Sequence, residues 1–165
     1  MLTLRAYFPD ATIIGCDVNT EMLRRSKRTL RGDPGFTFFS NPRNVDAFGP
    51  YDAVFAMSVL CQFPESRSVA NLSDIFPFAV FEKLAGNLAR NVKPNGIFCL
   101  FNSNYLFRHL AEAGQFVSLR SEKIHTTGFI DRFAPDGSRL TLTKGNRDAF
   151  LHFPEPGADI TDDDL

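Results

Sequence analysis

Ala11-Thr-Ile-Ile-Gly-Cys-Asp17 is the stretch that decides the fold. It is a short, continuous apolar run closed by an acid, not an alternating one, so it reads as a strand buried on both faces of a parallel sheet with its polar residue at the carboxyl end. Asn19 is placed to cap a following helix, in which Met22, Leu23, Ser26 and Leu30 turn inward while Arg24, Arg25, Lys27, Arg28 and Arg31 turn outward. The basic set reads as a solvated helix exterior, with a phosphate-binding face as the alternative. Gly32-Asp33-Pro34-Gly35 ends the helix. Residues 36–40 and 51–57 read as the next two strands. The link between them is short for a parallel crossover, so a compressed loop or a single helical turn is expected there.

From residue 58 to 76 the pattern loses its period. Pro77 then opens a helix with Phe81, Leu84, Ala85, Leu88 and Val92 at three- and four-residue steps, and Lys93-Pro-Asn-Gly96 closes it. Residues 97–102 form the fourth strand, followed by a helix over 104–113 capped by Asn104. Beyond Gly114, residues 123–133 and 140–143 flank Pro135-Asp-Gly-Ser138 as a hairpin, and residues 149–153 add an edge strand. The expected fold class is α/β: a doubly wound, mostly parallel sheet with a C-terminal antiparallel hairpin.

At 165 residues and 18.5 kDa the chain is the size of one domain. Residues 1–153 are expected to form it, with 154–165 as an acidic, disordered tail. An apolar fraction of 44% with 22% charged residues is ordinary globular composition. The formal charge of -1 supplies no global field for nucleic acid or an anionic membrane. No apolar stretch approaches the roughly 20 residues that span a bilayer, and no basic-then-apolar leader follows Met1, so a cytoplasmic protein without a membrane partner is expected. Cys16, Cys61 and Cys99 show neither disulfide nor zinc spacing, and no metal site is expected. The acidic tail lacks the spacing of a cation loop.

In a parallel sheet, ligands bind at the carboxyl ends of the strands, which makes Asp17, Ser40, Asn41, Met57 and Ser58 the rim of a site. A carboxylate at Asp17 suits the two hydroxyls of a ribose, and the bland alternative is a carboxylate that caps the next helix. His109, His125 and His152 are scattered, and no general base is assigned.

The stretch Phe8-Pro-Asp-Ala-Thr-Ile-Ile-Gly-Cys-Asp-Val-Asn-Thr-Glu-Met-Leu23 resembles the second-strand motif of class I S-adenosylmethionine-dependent methyltransferases. Residues 51–60 resemble that family's fourth strand, and residues 84–100, with Pro94-Asn-Gly96, are similar to its helix, turn and fifth strand. The resemblance covers roughly residues 8 to 105 in order and spacing. It implies an S-adenosylmethionine site in which Asp17 binds the ribose hydroxyls, Val18 packs on the adenine face, Asn41 meets the adenine amino group, and Met57 and Ser58 line the floor below the sulfonium. It implies a small-molecule methyl acceptor near residues 60–76 and 102–107, where Asn102 and Asn104 either orient the acceptor or cap the next helix; the absence of a basic cluster at the rim argues against a nucleic-acid substrate. The family's glycine-rich turn has no counterpart, because none of the eleven glycines forms a G-x-G pair and residues 1–7 look like the end of the helix that follows that turn. The resemblance thus makes the expected sheet Rossmann-like and truncated at its N-terminus, and the chain as given is expected to bind the methyl donor weakly or not at all. The competing expectations are a nicotinamide dehydrogenase and a catalytically impaired remnant that self-associates through an exposed strand edge.

Overall fold

The computed structural model describes residues 2–122, 130–140 and 147–152. They form two compact units, Met1–Phe48 and Gly49–Leu165.

The first unit runs α1 (Leu2–Tyr7), β1 (Ile13–Cys16), α2 (Thr20–Thr29), β2 (Phe36–Phe39) and a 3-10 turn, Pro42–Ala47. The strand β1 pairs parallel with β2, Ile13 opposite Phe36 and Cys16 opposite Phe39. Asn19 caps α2, its Oδ1 accepting from the N–H groups of Glu21 and Met22. The helix buries Leu23 and Leu30, while Met22, expected inside, is exposed. Beyond it Gly32 takes a φ of 91°, a left-handed conformation that suits a residue without Cβ. Arg5 fastens the unit. Its Nε and Nη2 donate to the Asp33 carboxylate, Nη1 donates to the carbonyls of Pro9 (2.6 Å) and Ala11 (2.7 Å), and the guanidinium lies 4.7 Å from the Phe36 ring centroid. A side chain at Gly35 would collide with Arg5 Nη2.

The second unit runs β3 (Tyr51–Met57), 3-10 turns at Glu65–Arg67 and Leu72–Asp74, α3 (Phe78–Arg90), β4 (Val92–Phe101), two more such turns at Phe107–His109 and Ala111–Gln115, then β5 (Phe116–Glu122) and β6 (Arg147–His152). The sheet order is β3-β4-β6-β5, with β3 and β4 parallel and β6 antiparallel to both of its neighbours. Side chains alternate along the strands. Ala56, Phe98 and Leu100 are buried in the core that also holds Phe81, Ala85 and Ala89 of α3, whereas Phe55 and Met57 point the other way and are 47% and 56% exposed.

Several expectations are corrected. One doubly wound sheet was expected; among the described residues there is a two-stranded parallel sheet and a four-stranded mixed sheet, with β1 and β3 each at a sheet edge. In β3, Ala56 is buried in the core with α3 residues whereas Phe55 and Met57 are exposed, and apolar composition alone does not say which face of a strand is covered. Residues 93–96 do not lie beyond a helix end as a free turn. They bulge within β4, so that Tyr51 faces Val92 while Ala53 faces Ile97, and Asn95 takes a left-handed φ of 63°. The helix expected over 104–113 is replaced by 3-10 turns, because Leu106 and Leu110 are extended and Asn104 is held by long-range bonds instead of capping. The last strand, expected at an edge, lies inside the sheet, where its reversed direction lets it pair on both sides.

The short link, expected as a compressed loop or a single helical turn, is the 3-10 turn Pro42–Ala47, and Pro135-Asp-Gly-Ser138 is a turn, closed by the Ala134 N–H donating to Ser138 O. The flanking hairpin residues 123–129 and 141–146 and the tail lie outside the described residues. No helix among the described residues is long and apolar enough to cross a membrane.

Candidate functional site

Because β1 and β2 are parallel, their carboxyl ends coincide, and residues 17–18 and 40–41 emerge on one side of the first unit. Asp17 is half-buried. Its Oδ1 accepts the Asn19 N–H at 2.8 Å, and Oδ2 makes no hydrogen bond among the described residues. The capping task that would have explained Asp17 is performed by Asn19. Burial, and then the neighbouring Asp17 charge, pushes the Cys16 thiol above its ordinary value, which disfavours the reactive thiolate. Val18 is 73% exposed, and Asn41 is exposed at the start of the 3-10 turn, its carbonyl accepting the Asn44 N–H.

In the second unit, Met57 and Ser58 end β3 beside the end of β4. Ser58 and Asn102 are both left-handed, with φ of 55° and 56°, an uncommon state for residues with a Cβ and one more tolerated by asparagine. The two are coupled: the Ser58 N–H donates to Phe101 O (2.8 Å) and Asn102 Nδ2 donates to Ser58 Oγ (2.9 Å). Asn102 Oδ1 is shielded from solvent without a hydrogen-bond partner among the described residues, a rarity that calls for an explanation.

The chain behind this pair is tightly held. Asn104, fully buried, accepts the Gln62 N–H (2.6 Å) and donates to Asp131 O (3.0 Å). Arg132, only 2% exposed, donates through Nη1 to Ser103 O at 2.6 Å. Burial raises the Cys61 thiol, and the Arg132 charge offsets part of that rise. Arg132 carried no signal in the sequence, where it is one basic residue in a polar stretch.

His109 packs edge-on against Phe78 at a centroid distance of 6.4 Å, with its Nδ1 buried and unpartnered among the described residues. Burial, and then the charge of Arg108, holds its imidazole below the ordinary value. The folded state therefore binds fewer protons than the unfolded one. The resulting stabilisation is complete above the unfolded value of about 6.5 and is lost as pH falls from there through the lower folded value. Between about pH 7.5 and 5.5 the wild type is expected to lose more stability to urea than His109→Gln; identical losses would contradict this. His125 lies outside the described residues, and His152 is placed only as a backbone position in β6.

No family model matches the sequence, and no curated protein matches it. Among solved structures, the chain is similar to the crystal structure of TehB from Haemophilus influenzae, with a TM-score of 0.43 and 9% identity over 84% of this chain and 48% of that one. The chain thus spans about half the length of that structure. Asp17 and Val18 follow the end of β1 and Asn41 lies two residues past the end of β2, while Met57 ends β3 and Ser58 follows it. Chemically the first group offers a carboxylate oxygen with spare acceptor capacity, and the second a hydroxyl beside a carboxamide.

Proposed function

We propose that the chain is a methyltransferase domain that uses S-adenosylmethionine and acts on a small-molecule acceptor. The observation that carries this reading is the state of Asp17: with Asn19 serving as the helix cap, the carboxylate keeps an oxygen for a ligand at the carboxyl end of a parallel strand. An ionised oxygen in that position fits a ribose diol. On this reading Val18 packs on the adenine and Asn41 meets its amino group. When bound, the donor supplies an electrophilic methyl group on a sulfonium. The chain's part is to hold and orient; Asn102 fixes the Ser58 hydroxyl through its Nδ2, that hydroxyl would orient an acceptor molecule, and proximity suffices without a general base.

The test is calorimetric titration of the full chain with S-adenosylmethionine and, separately, with a nicotinamide dinucleotide. The expected result is binding of the methyl donor weaker than micromolar and reduced about 10-fold or more in Asp17→Ala, since a hydrogen bond to a charged group is worth about 1.5–3 kcal/mol. Tighter binding of the dinucleotide, or indifference to Asp17→Ala, would refute the reading. A second reading, a binding or self-associating module, is favoured by the edge positions of β1 and β3 and the exposed Phe55 and Met57. Absence of donor binding together with a dimer in sedimentation would select it.

A further inference from the structure

We infer that the first unit holds a binding site for a phosphate monoester with an aromatic or apolar body, adjoining the strand-end rim at Ser40. A depression of about 420 Å³ lies between α2 and the end of β2. Thr20, Arg24 and Lys27 reach it from α2, and Ser40 and Asn44 from the chain after β2. Positions 20, 23, 24 and 27 share one flank of a helix, which divides the basic residues of α2 into two sets. Arg24 and Lys27 face the depression; Arg25 and Arg28, and Arg31 just past the helix, do not line it.

The lining is unbalanced toward donors. Among the described residues, the side chains of Thr20, Lys27, Ser40 and Asn44 make no hydrogen bond. Arg24 uses Nε and Nη2 on the Glu21 carboxylate (2.7 and 2.8 Å), which leaves Nη1 uncommitted. Glu21 is itself held below the usual carboxylate range by Arg24 and then Arg25, so both of its oxygens are spoken for, and no acid lines the depression. A guanidinium, an ammonium, two hydroxyls and a carboxamide from two chain segments match the several acceptor oxygens of a dianionic phosphate better than the two of a carboxylate. Leu23, Phe38 and Phe39 contribute the apolar part of the lining, which gives the organic body of the ligand a surface to pack on. This inference does not depend on the methyl-donor reading, because that donor carries no phosphate.

The test uses the full, isotope-labelled chain titrated with phenyl phosphate and with inorganic phosphate at low ionic strength, followed by amide chemical shifts. The expected result is saturable binding of phenyl phosphate, several-fold tighter than inorganic phosphate, with the largest shifts at Thr20, Lys27, Ser40 and Asn44. The pair Arg24→Gln and Lys27→Gln should weaken it at least 10-fold. Arg28→Gln with Arg31→Gln, the same charge change outside the depression, should leave it within twofold, and Asp17→Ala should not weaken it. No saturable shift in the wild type, or equal weakening by both charge pairs, would overturn the site; circular dichroism of each variant confirms that it is folded.

Discussion

Replacing Arg132 with alanine is expected to destabilise the second unit by about 3–5 kcal/mol, the sum of lost charge-assisted hydrogen bonds and the space left by a large buried side chain. The guanidinium bonds Ser103 O at 2.6 Å and Tyr105 O at 3.4 Å. The backbone on either side is tied in as well, since the Leu140 N–H donates to Arg132 O and the Phe133 N–H to Asn104 O. Removing the side chain leaves the Ser103 carbonyl buried without its donor and frees the segment that follows Asn102, so the left-handed Ser58–Asn102 pair should lose its fixed geometry together with stability. The chain has no Trp, so urea unfolding is best followed by far-ultraviolet circular dichroism. Arg132→Met, which keeps most of the volume but none of the donors, separates packing from hydrogen bonding. A loss below about 1 kcal/mol in the alanine variant would mean that the carbonyls find other partners.

Phe81→Ala should cost a similar amount, about 3–5 kcal/mol, through the cavity alone. The ring is fully buried, 5.3 Å from the Tyr105 ring, 5.8 Å from Phe78 and 6.5 Å from Phe76, the last nearly perpendicular. The Tyr105 hydroxyl donates to Phe76 O at 2.7 Å, so the cluster links α3, the loop before it and the segment after β4. The same urea experiment measures the cost. Phe81→Leu, which keeps much of the volume, should lose less than about 1.5 kcal/mol, and an alanine variant no worse than the leucine one would refute the claim that this ring fills the core.

Both residues illustrate what was and was not legible. Phe81 could be read from the sequence because its neighbours recur at helical spacing after Pro77. Arg132 could not, because its partners lie 27 and 29 residues earlier in the chain and nothing local distinguishes it from a solvated arginine. The candidate site divides in the same way. Asp17 and its competitor Asn19 were both visible two residues apart, and only the hydrogen bonds decided which one caps the helix. Asn102 was visible as a polar residue after a strand; its left-handed backbone and its bond to Ser58, 44 positions away, were not.

By itself the sequence determined the elements whose causes are local: the apolar strand before Asp17, the cap at Asn19, the end of α2 before Gly32, the compressed link before β3, the start of α3 after Pro77 and the turn at 135–138. Periodicity, capping and turn chemistry act over a few residues, so a linear reading reaches them. Only the tertiary structure decided that β6 enters the sheet between β4 and β5, that Ala56 of β3 is buried while Phe55 and Met57 are exposed, that residues 93–96 bulge, and that an arginine is buried. Each of these depends on which distant backbone groups and side chains satisfy one another, and burial and pairing are properties of that whole arrangement.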